Sequence, residues 1–190
     1  MSFETHQPTV EDVTVQARAQ RIRLLLMDCD GVLTDGRIVL LPDKEDTKFF
    51  HAHDGQGMKL AALAGLRTGV ITTRTSHALE RRVKEMHAHH LYQNAENKLL
   101  AYEAILAEEG ISDEAVAYIG DDLPDLPVMR RVGLAIAVAN AVAEVKAHAH
   151  WVTRREGGHG GVREAIEFIL KAQGKWDQLV ASFGFARDTD

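Results

Sequence analysis

Asp28 and Asp30 flank the chain's only cysteine at the end of an apolar run, in the stretch LLLMDCDGVLTDG at 24–36. Alternate residues of an extended chain face the same side, so the two carboxylates can act together, one as a nucleophile and one as a proton donor and acceptor. Further on stand Thr72, Thr73 and Arg74 behind an apolar run, Lys98 ahead of a helical stretch, and Gly120-Asp121-Asp122 with Asp125 behind another run. Gathered at one edge, these carboxylates would raise one another's pKa unless a cation compensated them. Oxygen ligands of this kind suit Mg²⁺, which binds few protein atoms, keeps several waters and shares its remaining positions with phosphate. Taken singly, each element has a plainer reading: a DxD is a solvated turn, a Thr at a strand end is a cap, a Lys heading a helix lies on the surface, and GDD is a turn before a helix N-cap. Their order and their common position after strands favour the chemical reading.

Short apolar runs alternate with segments of helical period, which argues for βαβ units. The fold class expected is therefore α/β, a Rossmann-like, doubly wound, mainly parallel sheet with helices on both faces. Expected strands are 23–28, 67–72, 90–92, 115–119, 134–138 and a short one near Trp151. Apolar stripes at Leu79, Val83 and Met86, at Leu99, Tyr102 and Leu106, and at Val162, Ala165, Ile166, Ile169 and Leu170 mark core faces of helices. RIVLL (37–41), PDKED (42–46) and TKFFH (47–51) read as a small inserted β-hairpin, too short to be a domain. In open α/β sheets ligands lie beyond the carboxyl ends of the strands, where the residues named above collect. The division expected is a helical lead-in over 1–22, a catalytic domain over 23–175 and a tail over 176–190.

With 28 acidic against 22 basic residues, a net charge of −6 offers no general attraction to nucleic acid or anionic lipid. No run approaches the length of a membrane span, and the amino terminus lacks the basic start and apolar block of a secretory signal. A single cysteine makes no internal disulfide, so a reducing, cytoplasmic setting is expected. The histidines of MHAHH at 86–90 read as the end of an exposed helix rather than a metal site.

The order DxD, Thr, Lys, GDDxxD resembles the haloacid dehalogenase superfamily of phosphotransferases. DCDGVLTDG (28–36), the segment from Phe50 through DGQGMKL (50–60), ITTRTS (71–76), NKLLAYEAIL (97–106), YIGDDLPDLPVM (118–129) and GGHGGVREAIEFIL (157–170) are similar to its branch of 3-deoxy-D-manno-octulosonate 8-phosphate phosphatases. The resemblance implies attack on phosphorus by Asp28, proton transfer by Asp30, and grip on the phosphoryl group by Thr72 and Lys98. It also implies Mg²⁺ held by Asp28, the backbone carbonyl of Asp30 and Asp121, with Asp122 or Asp125 acting through water or orienting Lys98. The implied substrate is a phosphorylated keto sugar acid. Hairpins from several subunits meet in that branch, implying a homotetramer. Candidates for the organic part of the substrate are Asp54, Arg74, whose guanidinium can pair with a carboxylate, and the glycine-rich 157–161 with Gly158; a tight turn explains those glycines equally. Cys29 stands where the branch often has Val and reads as a small buried hydrophobe facing away from the aspartates. Thr73 stands where Gly is expected, adding a β-carbon beside the phosphate site. The other readings are the same chemistry on another substrate, a subunit of a phenylphosphate carboxylase-type complex, and a noncatalytic binding or assembly protein.

Overall fold

The computed structural model describes residues 10–41 and 46–184. In chain order the elements are α1 (Val10–Gln20), β1 (Leu24–Met27), β2 (Val39–Leu40), β3 (Asp46–Thr47), α2 (Ala52–Leu63), β4 (Arg67–Ile71), α3 (His77–Glu85), β5 (His90–Tyr92), α4 (Lys98–Glu109), β6 (Val116–Gly120), α5 (Leu126–Met129), β7 (Leu134–Ala137), α6 (Ala143–His148), β8 (Trp151–Val152), α7 (Gly161–Ala172) and α8 (Trp176–Ser182). Six strands form one parallel sheet in the order β5-β4-β1-β6-β7-β8. The α/β expectation is met, and the expected strands lie within a residue or two of those observed.

Every side chain of β1, β6 and β7 is buried. A strand covered on both faces reads as an unbroken apolar run rather than an alternating one. Two groups of helices pack together, α1 and α2 against α7, and α4 and α6 against α5. Leu79, Val83 and Met86 and the whole α7 stripe are buried as expected, whereas on α4 the buried set is Ala101, Tyr102 and Ile105, with Leu99 and Leu106 only partly covered. Helix α2 was hidden by Gly55 and Gly57. A Cβ at 55 would stand 2.1 Å from Arg82 Nη2 and one at 57 would stand 3.0 Å from Arg163 Cδ, so both glycines leave room for arginine side chains at a loss of helix propensity.

The inserted hairpin is present but shorter than expected: β2 and β3 pair antiparallel, Val39 with Thr47 and Leu40 with Asp46. Most of its expected turn, residues 42–45, lies outside the described residues, as do residues 1–9 of the lead-in and Phe185 of the tail. Residues 185–190 lie outside the described residues; of the tail, Trp176–Ser182 form α8, where Trp176 lies under the guanidinium of Arg163 and the ammonium of Lys171, 5.2 and 5.3 Å from its ring centre. Among the described residues no helix is long and apolar enough to cross a membrane.

The MHAHH reading needs correction. Only His87 sits at the end of α3; His89 Nδ1 accepts the Thr68 amide at 3.3 Å, and His90 opens β5 as a buried ring against Glu109, which also pairs with Arg67 at 2.7 Å. Here a strand begins inside the polar run, which periodicity alone does not reveal. His150 Nδ1 likewise accepts the Ala135 amide, at 2.9 Å. Burial lowers the pKa of both His89 and His150 from the usual 6.5, helped by Arg67 and by Arg18 respectively. The unfolded chain therefore binds more protons, so this stability is complete above about pH 6.5 and fades as pH falls below it. A His150→Asn variant, which keeps an acceptor that cannot charge, is expected to lose less Tm between pH 7 and pH 5 than the parent, as read by thermal melts.

Candidate active site

The sheet reverses its winding between β1 and β6: the chain runs outward from β1 through β4 to β5, then returns to β6 on the other side. Such a switch point opens a crevice beyond the strand ends, and Asp28 and Asp121 stand there. The Asp28 amide still donates to Ile119 O of β6 at 3.1 Å, so the carboxylate leaves from a fixed backbone.

Lys98 is the first residue of α4, behind the N-cap Asn97, and is only 4% exposed. Its Nζ lies 2.9 Å from Asp28 Oδ1 and 2.7 Å from Asp125 Oδ1. The surface-lysine reading is excluded by that burial, because an ammonium is taken from water only when paired. Asp125 is fully buried: besides Lys98, Oδ1 accepts Tyr118 OH at 2.8 Å, while Oδ2 accepts the amides of Asp121 at 2.9 Å and Asp122 at 3.3 Å. Asp125 thus makes the contact with Lys98 that an orienting role requires, and Asp122 caps the short helical turn that carries it.

Acceptor atoms of Asp28, Asp121 and Asp125 lie within 4.8 Å of one another. Burial pushes the Asp28 carboxyl up to about 6, against the pull of Lys98 and with the help of Asp125. Asp121 is pushed up to about 7, by burial first and then by Asp125 and Asp28. For Lys98 burial works the other way, yet Asp125 and Asp28 outweigh it and raise its pKa. One ammonium among these carboxylates leaves negative charge uncompensated. Asp121 Oδ1 is buried with no hydrogen-bond partner among the described residues. A buried, unpaired carboxylate oxygen next to a second raised carboxylate is what a hard divalent cation satisfies, so Asp28 and Asp121 fit Mg²⁺.

Glycine makes this approach possible. Gly31 has φ +96°, and a Cβ there would stand 2.0 Å from Asp121 Oδ2. A Cβ at Gly120 would stand 2.6 Å from that of Asp125, and one at Gly157 would stand 1.7 Å from Gly31 O.

Asp30 is reached by two cations. Lys48, just past β3 and with its side chain 3% exposed, contacts Oδ1, and Arg74 Nε lies 3.7 Å from Oδ2. Lys48 was missed because only the return of the hairpin brings it here; the signal was a lone lysine in the otherwise aromatic TKFF. Thr72, at the end of β4 beside β1, is buried, and its Oγ1 accepts the Arg74 amide at 3.3 Å. Thr73 is exposed, and Cys29 is buried in the core as expected.

The remaining candidates serve the backbone. Asp54 is 1% exposed and its carboxylate accepts the amides of Gly160 at 3.2 Å and Arg163 at 2.7 Å, tying α2 to the start of α7. Gly158 donates to Val32 O at 2.9 Å, and a Cβ there would stand 2.3 Å from Asp35 N. Gly158 thus holds the glycine-rich loop against the Asp28–Asp35 loop, while Asp54 holds the end of that loop and the start of α7 against α2. Of the sequence candidates, the structure thus gathers Asp28, Lys98 and Asp121 with Asp125, sets Asp30 with Arg74 beside them, and puts Asp54 and Gly158 in the supporting layer.

Residues 72–166 match the haloacid dehalogenase-like hydrolase family. A 3-deoxy-D-manno-octulosonate 8-phosphate phosphatase, KdsC, of Escherichia coli is 44% identical over 86% of this chain and 87% of its own length. A probable phosphatase of the YrbI family from Pseudomonas syringae has the same fold with a TM-score of 0.88 and 45% identity, over 90% of this chain and 97% of that one. The phosphatase of Moraxella catarrhalis, solved in complex with magnesium ion, phosphate ion and KDO, aligns with a TM-score of 0.87 and 38% identity over 89% of this chain and 97% of that one.

Proposed function

The chain belongs to the haloacid dehalogenase-like hydrolases, and from that membership we propose that it is a Mg²⁺-dependent phosphatase that converts 3-deoxy-D-manno-octulosonate 8-phosphate to the free sugar acid and phosphate. The observation that carries the reading is the buried Lys98 ammonium shared by Asp28 and Asp125 beside the unpaired Asp121.

Asp28 is the nucleophile. Its Oδ attacks phosphorus, the bond to the sugar oxygen breaks, and Asp30 gives that oxygen a proton. Asp30 then takes a proton from water, the water oxygen bonds to phosphorus, and the bond to Asp28 breaks, releasing phosphate and restoring the Asp28 carboxylate and the protonated Asp30. Lys98 and the Thr72 hydroxyl hold the equatorial oxygens over which charge spreads in flight. Asp28, Asp121 and the carbonyl of Asp30 would hold Mg²⁺, which when bound would neutralise charge on the phosphoryl oxygens. Arg74, half exposed at the mouth and 3.7 Å from Asp30, is placed to pair with the sugar-acid carboxylate. Asp54 and Gly158 act on substrate through the loop they hold. A panel of sugar phosphates assayed with and without Mg²⁺ tests the function: kcat/KM highest for the eight-carbon acid supports it, and a better neutral sugar phosphate overturns the substrate.

The ion-free carboxyls set a pH dependence. With Asp28 near 6 and Asp121 near 7 against an ordinary 3.8, the folded ion-free protein binds more protons than the unfolded chain. Stability from these two groups is therefore lost as pH rises from about 4 through 7, and Mg²⁺ returns it. Mg²⁺ must displace those protons, so its affinity is expected to fall about tenfold from pH 7 to 6 and about a hundredfold per unit below that. Titration calorimetry reads the affinity; melts should show Mg²⁺ raising Tm at pH 8 and not at pH 5.

The hairpin is the only cap the described residues offer, and it leaves Ile38 (47%), Leu40 (74%), Leu41 (42%) and Phe49 (66%) exposed. Apolar residues so grouped mark an interaction surface. The proposed assembly is a cytoplasmic homotetramer closed through the hairpins. Light scattering is expected to give four times the chain mass, and a Leu40→Asp/Phe49→Asp variant a smaller particle.

A further inference from the structure

Tyr118 carries the only side-chain polar atom of β6, in VAYIG, and its residue is completely buried. Its hydroxyl donates to Asp125 Oδ1 at 2.8 Å and lies 3.5 Å from Lys98 Nζ. We infer that Tyr118 is a positioning residue for phosphoryl transfer: its hydroxyl fixes Asp125 Oδ1 where that carboxylate anchors Lys98. The inference rests on the phosphatase reading above and extends it to a residue outside the reacting set.

The argument begins with lone pairs. A carboxylate offers about four acceptor positions. Asp125 meets four donors: Lys98, Tyr118 and the amides of Asp121 and Asp122. None is left for an ion, although its oxygens lie within 4.8 Å of acceptor atoms of Asp28 and Asp121. Proximity alone would make Asp125 a ligand; the donors prevent it. Of the four, the two amides belong to the backbone turn and Lys98 is needed at Asp28, which leaves the phenol as the donor that fixes Oδ1 and nothing else. The ammonium in turn has three donors. Two face Asp28 and Asp125, and the third has the Tyr118 oxygen as a long acceptor at 3.5 Å, a contact a nearer phosphoryl oxygen would replace. A buried phenylalanine would fill the same volume, so packing does not require the hydroxyl.

Tyr118→Phe separates the possibilities. In protein labelled with ¹⁵N-lysine, a buried paired ammonium gives an Nζ–H signal protected from exchange, assigned by its disappearance in Lys98→Met. Tyr118→Phe is expected to shift or broaden that signal and leave the other lysines unmoved. This measurement needs no activity, so it stands or falls apart from the phosphatase reading. In turnover, loss of an outer partner of this kind is expected to lower kcat/KM about 10- to 100-fold, with half-maximal Mg²⁺ unchanged. In the Lys98→Met background the same substitution is expected to add less than about a twofold loss, because its effect passes through Lys98. An unmoved Lys98 signal, unaltered kcat/KM, the full loss persisting without Lys98, or a matching shift in Mg²⁺ requirement would each overturn the inference.

Discussion

Asp28→Asn is expected to leave a folded protein that releases phosphate no faster than buffer. An amide does not attack phosphorus, so the covalent route closes altogether, beyond the roughly 10²–10³ attached to losing one electrostatic contact. Two features separate this from damage to the fold. The ion-free Asp28 carboxyl is pushed up to about 6, chiefly by burial, so its charge works against folding at neutral pH. Replacing it with a neutral amide of the same shape removes that penalty and still leaves Lys98 paired to Asp125 at 2.7 Å. Without Mg²⁺ at pH 8, Tm is therefore expected to match or exceed that of the parent, an exchange of activity for stability common at active sites. Acid quenching with ³²P-labelled substrate supplies the direct check: the parent traps label on the protein and Asp28→Asn does not. Label trapped by the variant would move the nucleophile elsewhere.

Lys98→Ala should reduce kcat/KM by about 10²–10³, and for a different reason. The substitution withdraws the positive charge from Asp28 and Asp125 together, leaving two buried carboxylates facing each other. Removing one partner of a buried pair costs about 3–5 kcal/mol, because the other charge stays buried and unpaired. Thermal melts should therefore show a large fall in Tm in the absence of Mg²⁺. Asp28 would also rise further above 6, as the cation that opposes its burial is gone, so a smaller share of the enzyme holds an ionised nucleophile at neutral pH. With Mg²⁺ held below saturation, the activity optimum should move to higher pH in the variant, as read from kcat/KM profiles. A variant with normal turnover and a low Tm would make Lys98 structural only.

Much of this arrangement was open to reading because a parallel sheet turns sequence order into spatial order. Once LLLM, RTGVI and VAYIG are taken as buried strands, Asp28, Thr72 and Asp121 must emerge at the same edge. What stayed hidden depends on single side chains crossing between elements. Asp54 has the residue type of a ligand, and only tertiary packing shows its oxygens accepting the amides of Gly160 and Arg163. Lys48 reaches Asp30 through the hairpin's return, a path no local pattern encodes. Gly55 and Gly57 lower helix propensity where packing demands it, which concealed α2. The one hint of the Tyr118 contact was a hydroxyl inside an otherwise apolar strand, where a buried phenol ordinarily finds a partner.

The bare backbone at Gly31, Gly120 and Gly157 limits how this catalyst can be remade. Fully randomised codons at those sites should return glycine alone from any selection for turnover, since even alanine would press on Asp121, on Asp125 or on the carbonyl of Gly31. New specificity has to be sought at the rim, at exposed Thr73, where a library can vary the side chain without touching the carboxylates beneath.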